Sequence, residues 1–125
     1  MSDSNANQTP AGFPRHVTVA DAMVRLPGPH GQRFALLLKH GSLEVEIYAP
    51  RGVDPQSPHT RDELYVVVAG TGEFVNGGDR HPFGPGDVLF VPAGAEHRFE
   101  RFTDDLVVWV MFYGPEGGEA ADIGG

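Results

Sequence analysis

Turn chemistry recurs along this chain at intervals of roughly 8 to 12 residues, the spacing of short strands in a sandwich or barrel. The punctuation comes from 17 glycines and 11 prolines in 125 residues, too many for a helical bundle. Between the turns lie short apolar or alternating runs: "RFALLLK", "LEVEIYA", "LYVVVAG", "GEFV", "VLFVPAG", "HRFERF" and "LVVWVMFY". In the second run Leu43, Val45 and Ile47 alternate with Glu44, Glu46 and Tyr48, which predicts one buried and one wetter face. "YVVV" and "VVWVMFY" are apolar on both faces and so predict strands covered on both sides. The connection "HGS" reads as a hairpin, and Asn76-Gly77 is the strongest short hairpin signal in the chain. One short helix is expected in "TVADAM", with Thr18 as cap and Asp21 in its first turn. The expectation is an all-β fold of roughly eight strands, closed or in two layers.

The length suits one domain with one core. Residues 1–14 and 115–125 are polar, rich in glycine or proline and without periodicity, and read as flexible tails around a domain at 15–114. Nine basic residues against 17 acidic give a net charge of −8, which disfavours nucleic acid and anionic membrane surfaces as partners. The chain has no cysteine, which removes disulfides, thiolate metal sites and cysteine nucleophiles. No run reaches the roughly 20 apolar residues of a membrane-spanning helix, and the start lacks the pattern of a signal peptide. A cytoplasmic location is the resulting expectation.

Chemistry concentrates in "SPHTRDELYVVVAG", residues 57 to 70. Read as one continuous strand, Ser57, His59, Arg61, Glu63 and Tyr65 share a face, followed by Val67. A polar row leading into an apolar interior predicts a site. As a bland alternative, His59 and Glu63 form a surface pair on an edge strand beside Pro58. A second polar group, His97, follows the turn "PAGAE", where it could equally be a hydrogen-bonded histidine at a strand start.

These two stretches resemble the two motifs of the cupin superfamily. The first family motif is G-x5-H-x-H-x3,4-E-x6-G, and here His59, Glu63 and Gly70 fall on its second histidine, its glutamate and its closing glycine. "GDVLFVPAGAEHRFER" is similar to the second, G-x5-P-x-G-x2-H-x3-N, with Gly86, Pro92, Gly94 and His97 in place. The departures are Ser57 at the first histidine position, Gly52 one place off the opening glycine, and Arg101 at the final asparagine. The resemblance covers about residues 32 to 113 and implies a cupin-type β-barrel, the double-stranded β-helix or jelly roll.

The resemblance further implies one divalent metal held by His59, Glu63 and His97. Two imidazoles and a carboxylate suit Fe, Mn, Zn, Ni or Co and leave positions for water or substrate. Serine is a poor replacement ligand at 57. Gln56 offers an amide oxygen, but on the opposite strand face unless Pro58 introduces a bulge. Ser57, Arg61 and Tyr65 are candidate pocket residues. Arg61 could clamp a substrate carboxylate or pair with a neighbouring acid, and Tyr65, Phe99, Trp109 and Met111 could line a pocket or form plain core. Gly70, Gly86 and Gly94 are expected in turns with positive φ.

The family spans oxygenases, isomerases, decarboxylases, lyases, storage proteins and sensors, so fold and metal do not select a reaction. The expectation is a small-molecule enzyme, oxygenase- or isomerase-like, with a non-catalytic binding or sensing module as the alternative. A homodimer is expected too, with "LEVEIYA" offering a face to the partner.

Overall fold

A computed structural model describes residues 13–120. The polar segments 1–12 and 121–125 lie outside the described residues. Within them, helix α1 (Val19–Met23) precedes eight strands: β1 (Phe34–His40), β2 (Leu43–Tyr48), β3 (Asp62–Ala69), β4 (Gly72–Asn76), β5 (Asp79–Phe83), β6 (Val88–Val91), β7 (His97–Glu100) and β8 (Val107–Tyr113). They form a five-stranded sheet in the order β1-β2-β8-β3-β6 and a three-stranded sheet β5-β4-β7, antiparallel throughout. This is the all-β fold expected from the turn rhythm, in the jelly-roll form that the resemblance implies.

The two apolar faces of the long strands serve two cores. Inward, Tyr65, Val67, Phe74, Phe83, Leu89, Val91, Phe99, Val108 and Val110 pack between the sheets. Tyr65 and Phe99 meet edge to face at 5.1 Å, a favoured aromatic geometry. Outward, Ile47, Ala49, Leu37 and Val107 pack with Ala22 of α1, and Trp109 joins them at the margin. Trp109 and Met111 therefore belong to the outer face of the sheet, and Phe99 to the inner core. The helix is held by the cap read in the sequence: Asp21 N–H donates to Thr18 Oγ1 at 3.0 Å, and Thr18 N–H to the Asp21 carboxylate at 3.4 Å.

The hairpins follow the turn residues. Asn76 pairs with Asp79 across Gly77 and Gly78, and His40 pairs with Leu43. Strand β5, "DRHPF", has no run of its own in the sequence reading. It is an edge strand, exposed but for Phe83, and its charges and Pro82 suit an edge rather than a centre. At Gly70 the chain turns with φ +97°, and a Cβ there would lie 2.6 Å from the Leu106 Cα. A glycine is required on both counts.

Two expectations about extent change. Residues 57–61 precede β3 as loop, so strand alternation does not reach them. The segment after 114, expected to be free, is tied down within the described residues: Gly117 N–H donates to the Thr60 carbonyl and Glu119 N–H to Asp62 Oδ2. No helix among the described residues is long and apolar enough to cross a membrane.

Candidate metal centre

Strand β3 aims Glu63 into the barrel, and β7 begins with His97 facing it across the sandwich. The loop before β3 supplies His59. That loop is fixed by the second motif: Gly94 N–H donates to the His59 carbonyl at 2.8 Å, and Ala93 N–H to Asp62 Oδ1 at 3.0 Å. Gly94 has φ +83°, so the turn presenting its N–H needs glycine. The two motif stretches are thus hydrogen-bonded to each other, and their three side chains converge. One potential ligand atom from each of His59, Glu63 and His97 lies within 4.8 Å of the others.

Glu63 is 1% exposed and His97 2%. Both Glu63 carboxylate oxygens and His97 Nε2 are buried without a directed hydrogen bond, although Nε2 lies 3.2 Å from Oε1. Unpartnered buried polar atoms are rare because desolvation is uncompensated, and a carboxylate is the costliest case. His97 Nδ1 contacts the Ala95 carbonyl at 2.9 Å, which places the proton on Nδ1 and leaves the Nε2 lone pair aimed at the cluster. His59 Nε2 lies 3.8 Å from Glu63 Oε1. The orphaned Glu63 oxygens and His97 Nε2, with the half-buried His59 imidazole beside them, fit a divalent cation.

Electrostatics separates the two histidines. Burial, partly offset by Glu63, holds His59 below its ordinary pKa. Burial also pulls on His97, but the adjoining Glu63 carboxylate and the Ala95 carbonyl outweigh it and leave its pKa raised. Without a cation, His97 is therefore the more readily protonated of the two histidines.

Gln56, not Ser57, faces the cluster. Its Oε1 accepts from Tyr65 Oη at 3.0 Å and lies 3.3 Å from His59 Nε2, while its amide nitrogen donates to Asp54 Oδ2 at 2.9 Å. Asp54 is itself buried, accepting from Phe99 N–H at 2.8 Å and hydrogen-bonded to Tyr48 Oη. This chain sets the amide so that its oxygen points at the histidine. Ser57 is exposed, because the loop between Pro55 and Pro58 is not a strand. Arg61 lies at the rim, paired with Glu44 at 3.5 Å and donating to the Ser42 carbonyl. Tyr65 is fully buried beneath the cluster, its ring 6.1 Å from that of His97.

The cluster opens into a cavity of about 630 Å³. Glu63 and His59 lie on its wall with Glu46, Tyr48, Val110 and Phe112. Glu46 and Tyr48 are on the "wetter" face of β2, and that face is the inside of the barrel. Burial, then the Glu44 and Glu63 charges, push the Glu46 carboxyl up to about 7. The alternation in "LEVEIY" carried this signal, since it marked a polar face without saying where that face points.

Residues 44–113 match the Cupin domain family. The chain is 37% identical over 81 residues to an uncharacterised protein of Streptomyces coelicolor, covering 63% of this chain and 77% of that one. It is 33% identical over 72 residues to the dimethylsulfoniopropionate lyase DddQ of Ruegeria pomeroyi, covering 54% of this chain and 35% of the lyase. This chain thus spans about a third of the lyase. Among solved structures, a double-stranded β-helix protein of Klebsiella pneumoniae superposes with TM-score 0.64 at 17% identity, over 79% of this chain and 89% of that one. That likeness is one of fold.

Proposed function

The chain belongs to the cupin domain family, and on that premise we propose that it is a metal-dependent enzyme acting on a small organic molecule, oxygenase- or isomerase-like. One observation carries the reading: Glu63 and His97 turn orphaned ligand atoms to one another beside His59, and Glu63 and His59 line a cavity large enough for a small ligand. His59, Glu63 and His97 would hold the ion, and Gln56 Oε1 is oriented toward the same point. A bound divalent ion polarises a carbonyl or lowers the pKa of a bound water.

The chain's own groups supply the rest. The Ala95 carbonyl orients the His97 imidazole through Nδ1 and leaves Nε2 free to ligate. Phe112 and Val110 keep part of the wall apolar and limit access of water. Glu46, titrating near neutrality within the cavity, is suited to accept or return a proton at its carboxylate oxygens. Its presence favours turnover over simple binding, as does the similarity to a lyase over part of the chain.

A non-catalytic binding module is the second reading, favoured by the exposed Ser57 at the family's first histidine position, which leaves three of the usual four ligands. A screen of the metal-loaded protein against small organic substrates separates the two. Turnover that disappears in Glu46→Gln with metal affinity kept supports the enzyme. Ligand binding with no turnover in either protein supports the module. We also propose a cytoplasmic location for the protein.

A further inference from the structure

The cavity has a second charged end. Arg33, just before β1, and Arg51, just after β2, both line it. The paired strand ends bring them together: Ala49 N–H donates to the Arg33 carbonyl at 2.9 Å, and Arg33 Nε donates back to the Ala49 carbonyl at 2.8 Å. Arg51 Nη1 donates to the Ala49 and Pro50 carbonyls at 3.2 and 3.0 Å. Carbonyls hold a guanidinium in place, but they do not neutralise it.

Among the described residues, neither guanidinium has a carboxylate within 4.0 Å. Lys39, Arg61, Arg80, Arg98 and Arg101 all do. Arg15 and Arg25 are also unpaired, but they lie away from the cavity, whereas the half-buried Arg33 and the exposed Arg51 line it. In a chain of net charge −8, two unneutralised cations on one cavity are unexpected. They also act on each other: burial, then the Arg51 charge, lowers the Arg33 pKa. Both remain cationic, since guanidinium does not deprotonate in proteins. An anion between them would relieve that repulsion and match their planar forks.

Beside the polar Glu46, Tyr48 and Gln56, the cavity that holds both arginines and His59 has an apolar lining from Phe34, Val53, Pro55, Val110 and Phe112. We propose that the cavity takes a small monocarboxylate, its carboxylate held by Arg33 and Arg51 and its apolar body directed toward the His59–Glu63–His97 cluster. A single negative charge is specified because Glu46 and Glu63 stand on the same wall and repel a second one. The reacting end of the ligand rests on the function proposed above; the carboxylate end does not.

The test uses the full chain, stripped of metal with EDTA and dialysed, and titrated calorimetrically at low salt. The probes are 3-phenylpropanoate and 3-phenylpropanamide, alike in shape and different in charge. The acid is expected to bind at least ten-fold more tightly than the amide. In Arg33→Gln/Arg51→Gln that preference disappears, and in Arg33→Lys/Arg51→Lys part of it returns, with circular dichroism as the folding control. Equal affinities in the wild type, no binding of either probe, or a preference that survives the double glutamine variant overturns the proposal. So does a preference that emerges only on reloading with Zn²⁺, since the metal would then be reading the carboxylate. A protein that takes up no metal but still prefers the acid would defeat the proposed function and leave this inference standing.

Discussion

His97 Nε2 lies 3.2 Å from Glu63 Oε1, both atoms are buried, and neither makes a directed hydrogen bond. A proton and a divalent cation compete for this gap. With the His97 pKa raised, a proton occupies the imidazole at pH 6 and must leave before the nitrogen can ligate. Metal affinity should therefore tighten as pH rises from 6 to 8. Calorimetry in buffers of different ionisation enthalpy should show proton release on binding at pH 6. Affinity independent of pH would mean that His97 is not a ligand.

Gln56 and Ser57 make opposite predictions. Gln56→Ala removes the oxygen 3.3 Å from His59 Nε2 and the acceptor of Tyr65. It should lower metal affinity about 10- to 100-fold, the usual cost of losing a polar group beside a metal's ligands. Ser57→His should leave affinity unchanged, because residue 57 is exposed. Chelator competition measures both. A histidine at 57 that tightens binding would place that residue in the site after all.

Glu46 should make the metal-free protein less stable as pH rises. Its folded pKa, about 7, lies above the ordinary carboxyl value of 4.5. The native state thus holds the proton longer, and stability falls across the window from 4.5 to 7. The partly exposed carboxyl should account for on the order of 1–3 kcal/mol. Urea melts of wild type and Glu46→Gln at pH 4.5 and 8 isolate it, with the variant losing less on going to pH 8. Parallel losses in the two proteins would remove Glu46 as the source.

How much of this could be read in the residues depends on what alternation reports. Within strands it located Glu63, Tyr65 and Val67 on one inward face, and the second motif's spacing marked His97. Thr18 announced its helix because the cap is a local interaction. Alternation says nothing about a loop, so Gln56 and Ser57 exchanged places where Pro55 and Pro58 interrupt the strand. Nor does it say which polar face is a cavity, so Glu46 read only as part of a wetter face. Strand β5 was hidden because an edge strand need bury only Phe83.

Association is predicted through the outward face of the five-stranded sheet. The expected face on β2 is partly occupied, since Ile47 lies in the cluster packed with α1. Further along the same sheet, Val88 and Phe90 of β6 are 60% and 47% exposed, paired beside Val66 and Leu64. A contiguous apolar patch of this kind suits an isologous contact with a second copy. Sedimentation should show a dimer at micromolar concentration and a folded monomer for Phe90→Arg. A wild-type monomer would contradict it.

The most direct measurement is metal content and affinity of the purified wild type beside Glu63→Ala and His97→Ala. Three converging ligands predict close to one divalent ion per chain in the wild type, by elemental analysis and by titration with Fe, Mn, Zn, Ni or Co. Each alanine variant should fold, by circular dichroism, and lose more than about 100-fold in affinity. Wild-type protein that stays empty with every one of these metals, or variants that bind as tightly as it does, would contradict a metal centre at His59, Glu63 and His97.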